Sequence, residues 1–202
     1  MPADGAPARS ANVVWQKTET TREGRWEALG HPGVTVWLTG LPASGKSTLA
    51  AAVEARLLAA GRSAYLLDGD NLRHGLNGDL GFSPEDRAEN VRRTAEVAAL
   101  LADSGTVALV ALVSPYAADR DAARAIHAHR DLPFLEVHVA TTLEECEARD
   151  PKGLYARARA GELTGMTGVD APYEPPANPE LRIEPSRPLD EAVDELIAAL
   201  PA

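Results

Sequence analysis

From residue 34 onward, short apolar runs alternate with longer stretches of helical periodicity. The runs cover 34–38, 63–67, 107–113 and 134–139, and Leu181, Arg182 and Ile183 could add a short fifth. These runs are continuous rather than alternating. Strands of that kind are buried on both faces, which predicts a parallel sheet with helices on either side. The intervening stretches predict helices over 49–60, 84–104, 118–130 and 189–200. Gly61 and Gly105 stop the first two. Ser83 can cap the second, Pro84 suits its first position, and Asp86 sits where a capping box wants an acceptor.

Two stretches break this pattern. Residues 1–32 are polar and rich in Pro, Gly, Thr and Glu, which predicts a flexible N-terminal arm pinned by Val13, Val14 and Trp15. Residues 150–178 interleave glycines and prolines with Lys152, Arg157 and Arg159, which predicts a mobile lid, since a long loop in a compact domain is usually functional or disordered. Residues 33–202 are enough chain for one domain with its own core.

Acids number 30 and bases 20, for a net charge of -10. That excludes the basic footprint of a nucleic-acid binder. It leaves room for a small anionic substrate, because local charge can oppose net charge. The single cysteine, Cys146, rules out an intrachain disulfide and fits a reducing cytoplasm. It reads as a small packing residue on a helix. Residues 1–10 hold no apolar run of a secretory signal, and no stretch nears the ~18 apolar residues of a membrane span.

Gly40-Leu-Pro-Ala-Ser-Gly45-Lys46-Ser47 fits G-x-x-x-x-G-K-[ST]. It follows the first strand and opens the first helix, the context that motif requires. Its glycines let backbone N–H groups turn inward around phosphate oxygens, and the helix N-terminus adds partial positive charge. Lys46 can reach the β- and γ-phosphates, and Ser47 can ligand Mg²⁺. Strand two ends in Asp68-Gly69-Asp70, at the carboxyl edge where open α/β sheets bind ligands. Asp68 and Asp70 could hold Mg²⁺ through water or orient an attacking hydroxyl; Asp-Gly-Asp is also good turn chemistry.

Arg73 follows, and Arg87, Asn90 and Thr94 share one face of a helix. Arginine favours planar, forked contact with phosphate or sulfate. Phe82 could stack on a base, whereas Arg92 and Arg93 read as a solvated face. The chain has only three lysines, Lys17, Lys46 and Lys152, and two of them fall in these suspect segments.

The stretch LDGDNLRHGLNGDLGFSPEDRAENVRR, residues 67–93, is similar to the adenylylsulfate kinase family over its full length. So are residues 40–48, Ser114-Pro-Tyr116, CEARDPKGLYARARAGELTGMTG at 146–168, and residues 169–175. Asn12-Val-Val-Trp15 resembles the family's opening segment, so the likeness runs from Asn12 to the C-terminus. The phosphate loop is shared by many nucleotide-binding proteins; DGDNLRHGLN and DPKGLYARARAGE are far more specific.

The resemblance implies an α/β, P-loop NTPase-type three-layer fold with a mostly parallel central sheet and a mobile lid. It implies an ATP-dependent phosphotransferase acting on the 3′-hydroxyl of adenylyl sulfate, with Mg²⁺, commonly as a homodimer. An ATP sulfurylase is a candidate partner. ATP would lie on Gly40, Ser44, Gly45, Lys46, Ser47 and Thr48, with Arg149 near its adenine. Asp68 would orient or deprotonate the acceptor hydroxyl. Arg73, Arg87 and Asn90 would hold the phosphosulfate, with Phe82 against the acceptor's adenine. Ser114 would line the acceptor site, Lys152 would neutralise charge from the lid, and Ser47 with Asp70 would serve the metal.

Three positions depart from the family pattern. Met166 stands where a phenylalanine is usual, so a thioether would replace an aromatic ring on the purine. Pro42 removes one N–H from the loop. Ala156 replaces a common lysine. Two rival readings follow: a P-loop kinase for another small metabolite, and a nucleotide-binding regulatory or scaffold subunit without turnover.

Overall fold

The computed structural model describes residues 12, 16 and 18–201. The expected pins Val13, Val14 and Trp15 lie outside them, as do residues 1–11 and Lys17.

Five parallel strands form one sheet: β1 (Val34–Thr39), β2 (Ala64–Asp68), β3 (Val107–Ala111), β4 (Phe134–Val139) and β5 (Leu181–Ile183), in the order β2-β3-β1-β4-β5. All six residues of the central β1 are buried. Successive side chains on a strand point to opposite faces. Val34, Val36 and Leu38 therefore enter one core with α2 (Lys46–Ala59) and α8 (Leu189–Ala198). Trp37 enters another with α4 (Pro84–Ser104) and α5 (Ala117–Ala128). Helices thus cover both faces of the sheet, the three layers that continuous apolar runs imply.

α4 follows its sequence signals. Ser83 Oγ accepts from Asp86 N at 3.1 Å, and Gly105 ends the helix at φ 100°. Its buried face carries Ala95, Ala98, Ala99 and Ala102, small residues that let it lie close to the sheet. The closest approach is at Gly33, where an added Cβ would stand 2.0 Å from the Ala102 carbonyl oxygen. The capping box with both halves formed lies elsewhere, between Thr142 and Glu145 at α6 (Leu143–Arg149).

The expected arm is partly helix. α1 (Arg22–Leu29) is capped by Thr21 and ended by Gly30 in the left-handed region, at φ 76°. Arg22 Nε donates to Asp103 Oδ1 at 2.8 Å, Arg25 pairs with the same carboxylate, and Trp26 Nε1 donates to the Ala102 carbonyl at 3.2 Å. None of its residues is buried, so no hydrophobic stripe announced it; polar contacts, and the partly buried Trp26 against Ala99, Ala102 and Leu132, dock it on the end of α4. The short α3 (Gly69–Leu72) and α7 (Leu154–Arg159) were also not expected, whereas α6 is the helix on which Cys146 was read as a packing residue, and Cys146 is buried there.

The segment expected as a lid packs around an apolar cluster of its own. Cys146, Tyr155 and Met166 are buried together against Leu41, Leu143 and Leu154. Asp170 shapes its tip, accepting from the N–H groups of Gly165 at 2.7 Å and Met166 at 2.6 Å.

Candidate active site

The carboxyl ends of β1 to β4 converge on the loop between β1 and α2. Gly40 sits at φ 155°, and a Cβ there would stand 2.6 Å from the Val139 carbonyl oxygen. Gly45 is the N-cap of α2 at φ 104° and supplies no capping side chain. The first N–H groups of α2 therefore remain open to an anion, with the helix dipole behind them. Pro42 forfeits its own N–H, but its carbonyl accepts from the Tyr155 hydroxyl at 3.0 Å. That bond ties the loop to the lid.

Lys46 is buried, and it folds back over the loop. Its Nζ donates to the carbonyls of Gly40 at 3.0 Å and Leu41 at 2.8 Å, and to Ser44 Oγ at 3.3 Å. Burial pushes its pKa down to about 8, while nearby acidic groups, Asp68 and Asp70 among them, oppose the fall. The Ser44 carbonyl accepts from Thr141 Oγ1 at 2.8 Å and from Arg149 Nη1 at 3.3 Å. Arg149 and Thr48, together with Arg187 and Leu189, line a cleft of about 230 Å³ beside the loop.

Ser47 Oγ donates to Asp68 Oδ2 at 2.6 Å. The other carboxylate oxygen, Oδ1, accepts from the N–H groups of Asp70 and Asn71 and so caps α3. One oxygen of Asp68 is thus structural and the other faces the phosphate loop. Asp70, expected beside Ser47, instead pairs with Lys152 of the lid. Asp68 is the carboxylate that meets Ser47.

The arginine set is brought together. Arg73 and Arg87 lie 4.1 Å and 5.7 Å from the ring centre of Phe82, which is 64% exposed. Burial, and next the nearby Arg87, lower the pKa of Arg73, while the carboxylates of Asp70 and Asp86 oppose the fall. Arg87 spends its fork on the lid, donating to the Gly165 carbonyl at 2.8 Å and to Thr167 Oγ1 at 3.2 Å. Asn90 and Thr94 are buried below it. Arg92 and Arg93 form ion pairs with Glu89, as a solvated face would.

Two expectations shift here. Met166 is buried in the lid core instead of lining an open acceptor cavity. Ser114 is buried at φ 38°, its hydroxyl accepting from Trp37 Nε1 at 3.1 Å.

Sequence reasoning missed the residue that holds Ser114 in place. Arg120, 3% exposed, donates Nη1 to the Ser114 carbonyl, Nη2 to the Glu174 carbonyl and Nε to Glu136 Oε1, each at 2.7 Å. It joins the loop after β3 to Glu174, late in the expected lid segment. Flanked on its helix by Asp119 and the exposed Asp121, it gave no pattern signal. Tyr173 was also missed; its hydroxyl meets Thr39 Oγ1 at 3.1 Å.

A phosphate cradle whose serine touches the carboxylate ending β2, with Lys152 paired to the next aspartate, Asp70, defines a nucleotide-dependent phosphotransferase of the P-loop kinase class. The comparisons carry this further. The adenylylsulphate kinase family model matches residues 32–184, and the chain belongs to that family. It is 49% identical to an adenylyl-sulfate kinase of Prochlorococcus marinus over 194 residues, covering 96% of each chain. It is 58% identical to the bifunctional enzyme CysN/CysC of Mycobacterium tuberculosis over 168 residues, 83% of this chain but 27% of that protein. The fold superposes on the Mycobacterium tuberculosis APS kinase CysC, solved in complex with AMPPNP and APS, with a TM-score of 0.82 at 58% identity over 83% of this chain and 97% of that one.

Proposed function

We propose that the chain transfers the γ-phosphate of ATP to the 3′-hydroxyl of adenylyl sulfate, giving 3′-phosphoadenylyl sulfate and ADP. The observation that carries this reading is the 2.6 Å contact between Ser47 Oγ and Asp68 Oδ2. It puts the carboxylate that would handle the acceptor hydroxyl at the edge of the phosphate cradle. The arginines around Phe82 supply the second half, a cationic site with an aromatic face for a nucleotide anion. The name and bound ligands of the Mycobacterium tuberculosis structure favour the same pair of substrates.

ATP would lie with its phosphates on the N–H groups of 40–48, its triphosphate drawing Lys46 off the loop carbonyls, and its base toward Arg149. Arg73, Arg87 and Asn90 would hold the phosphosulfate, with the acceptor's adenine on Phe82. Asp68 Oδ2 would release Ser47 and take the hydrogen bond of the 3′-hydroxyl, orienting it and receiving its proton. Lys152 would leave Asp70 for the transferring phosphoryl group. Such a reaction is accelerated chiefly by positioning and electrostatics. The lid would exclude water, the competing acceptor.

The oxygen donors Ser47 Oγ, Asp68 and Asp70 suit a hard cation that keeps most of its waters. Ser47 would hold Mg²⁺ directly and Asp70 through water. When bound, the ion would neutralise negative charge on the triphosphate. The reading also includes a homodimer in the cytoplasm, with adenylyl sulfate supplied by an ATP sulfurylase. Among the described residues no helix is long and apolar enough to cross a membrane.

The test is ADP release with adenylyl sulfate against a panel of other small hydroxyl acceptors. Adenylyl sulfate is expected to be turned over far faster than the rest. Equal or better turnover of an unrelated acceptor would return the assignment to a kinase of another metabolite.

A further inference from the structure

Asn77 lies in the turn between α3 and α4 and is 0% exposed. Its Nδ2 donates to Asn90 Oδ1 at 2.9 Å. Its own Oδ1 is sealed from solvent and has no partner among the described residues. A buried, unpaired amide oxygen is costly, and turning the amide over would only exchange an orphan oxygen for an orphan nitrogen. Burial alone therefore does not choose between the two orientations.

The difference is felt at Asn90. With its oxygen held by Asn77, the Asn90 amide must aim Nδ2 away from that turn. Among the described residues Nδ2 meets no acceptor, yet it is not one of the atoms sealed from solvent, although the residue is only 6% exposed. Asn90 stands one helical turn past Arg87 on α4. An anion held there is attracted by an outward N–H and repelled by an outward carbonyl.

We infer that Asn77 is a positioning residue that locks the Asn90 amide with its nitrogen toward the acceptor's anion. This rests on the assignment of Asn90 to the acceptor site made above. Asn77 touches no substrate itself; it acts through one hydrogen bond.

The experiment compares KM for adenylyl sulfate, KM for ATP, and kcat in Asn77→Ala, Asn90→Ala and the double variant. Asn77→Ala is expected to raise KM for adenylyl sulfate about tenfold, the worth of a hydrogen bond to an anion's partner, with KM for ATP and kcat within about twofold. In the Asn90→Ala background the same change should add less than about twofold, because the residue it positions is gone. Asn77→Ser, which also deletes the unpaired oxygen but leaves a smaller hole, should show the same selectivity if the alanine variant does not fold. A KM for adenylyl sulfate that stays at the wild-type value, or rises equally with and without Asn90, overturns the inference. An Asn90→Ala variant with unchanged KM for adenylyl sulfate rejects the acceptor role of Asn90, and this inference with it.

Discussion

A rise from about pH 7 to about pH 9 should act on ATP binding through Lys46. The side chain is 7% exposed, and burial lowers its pKa from 10.5 to about 8. At 1.36 kcal/mol per unit, holding that ammonium in the unliganded loop costs roughly 3 kcal/mol at neutral pH. The folded state binds this proton less tightly than the unfolded chain does. Its contribution to stability is therefore fully favourable above the unfolded value of 10.5 and is lost as pH falls through about 8.

ATP binding runs the other way. A triphosphate selects the ammonium form, so above the folded pKa the protein must take up a proton to bind. Kd for ATP should weaken about tenfold between about pH 7 and about pH 9, with uptake approaching one proton per nucleotide. Titration calorimetry in two buffers of different ionisation heat reads both quantities, and Lys46→Met should abolish the uptake. A Kd that stays flat over this range, without proton uptake, would refute the desolvation argument.

Other expectations are equally specific. Asp68→Asn keeps the acceptor that caps α3 but removes the base, so ADP release should fall by about 10²–10⁴ while an ATP analogue still binds. Arg87→Lys replaces a fork by a point charge and should raise KM for adenylyl sulfate about tenfold or more in steady-state assays, with KM for ATP little changed. Gly33→Ala drives a methyl group to 2.0 Å from the Ala102 carbonyl oxygen, a backbone atom that moves only with α4. Thermal unfolding should show a loss of about 1–3 kcal/mol.

The sheet was legible because buried parallel strands leave continuous apolar runs, and β4 and β5 match their runs residue for residue. α4 was legible from Ser83, Pro84 and Gly105. α2 begins at Lys46, three residues before the predicted start, because the phosphate loop itself forms the first helical turn. α1 was not legible, since a single partly buried Trp26 and a few polar contacts dock it, and its partner Asp103 lies 81 residues from Arg22. Within the site, motif spacing placed Lys46, Ser47 and Asp68 together. It did not separate Asp68 from Asp70, because the choice depends on which carboxylate caps α3 and which meets Lys152. Met166 was misplaced for a related reason. Its neighbours Cys146 and Tyr155 come from α6 and α7, two short helices whose packing against each other no periodicity revealed. Arg120 shows the limit most plainly, as its three bonds join segments that sequence distance hides.

The most direct measurement is a crystal structure holding a non-hydrolysable ATP analogue and adenylyl sulfate together. The 3′-oxygen of adenylyl sulfate should lie about 3–3.5 Å from the γ-phosphorus, in line with the bridging oxygen, hydrogen-bonded to Asp68 and with Arg87 released from the Gly165 carbonyl onto the phosphosulfate. Adenylyl sulfate seated away from Phe82 and Arg73, or with its 3′-oxygen turned from Asp68, would contradict the account.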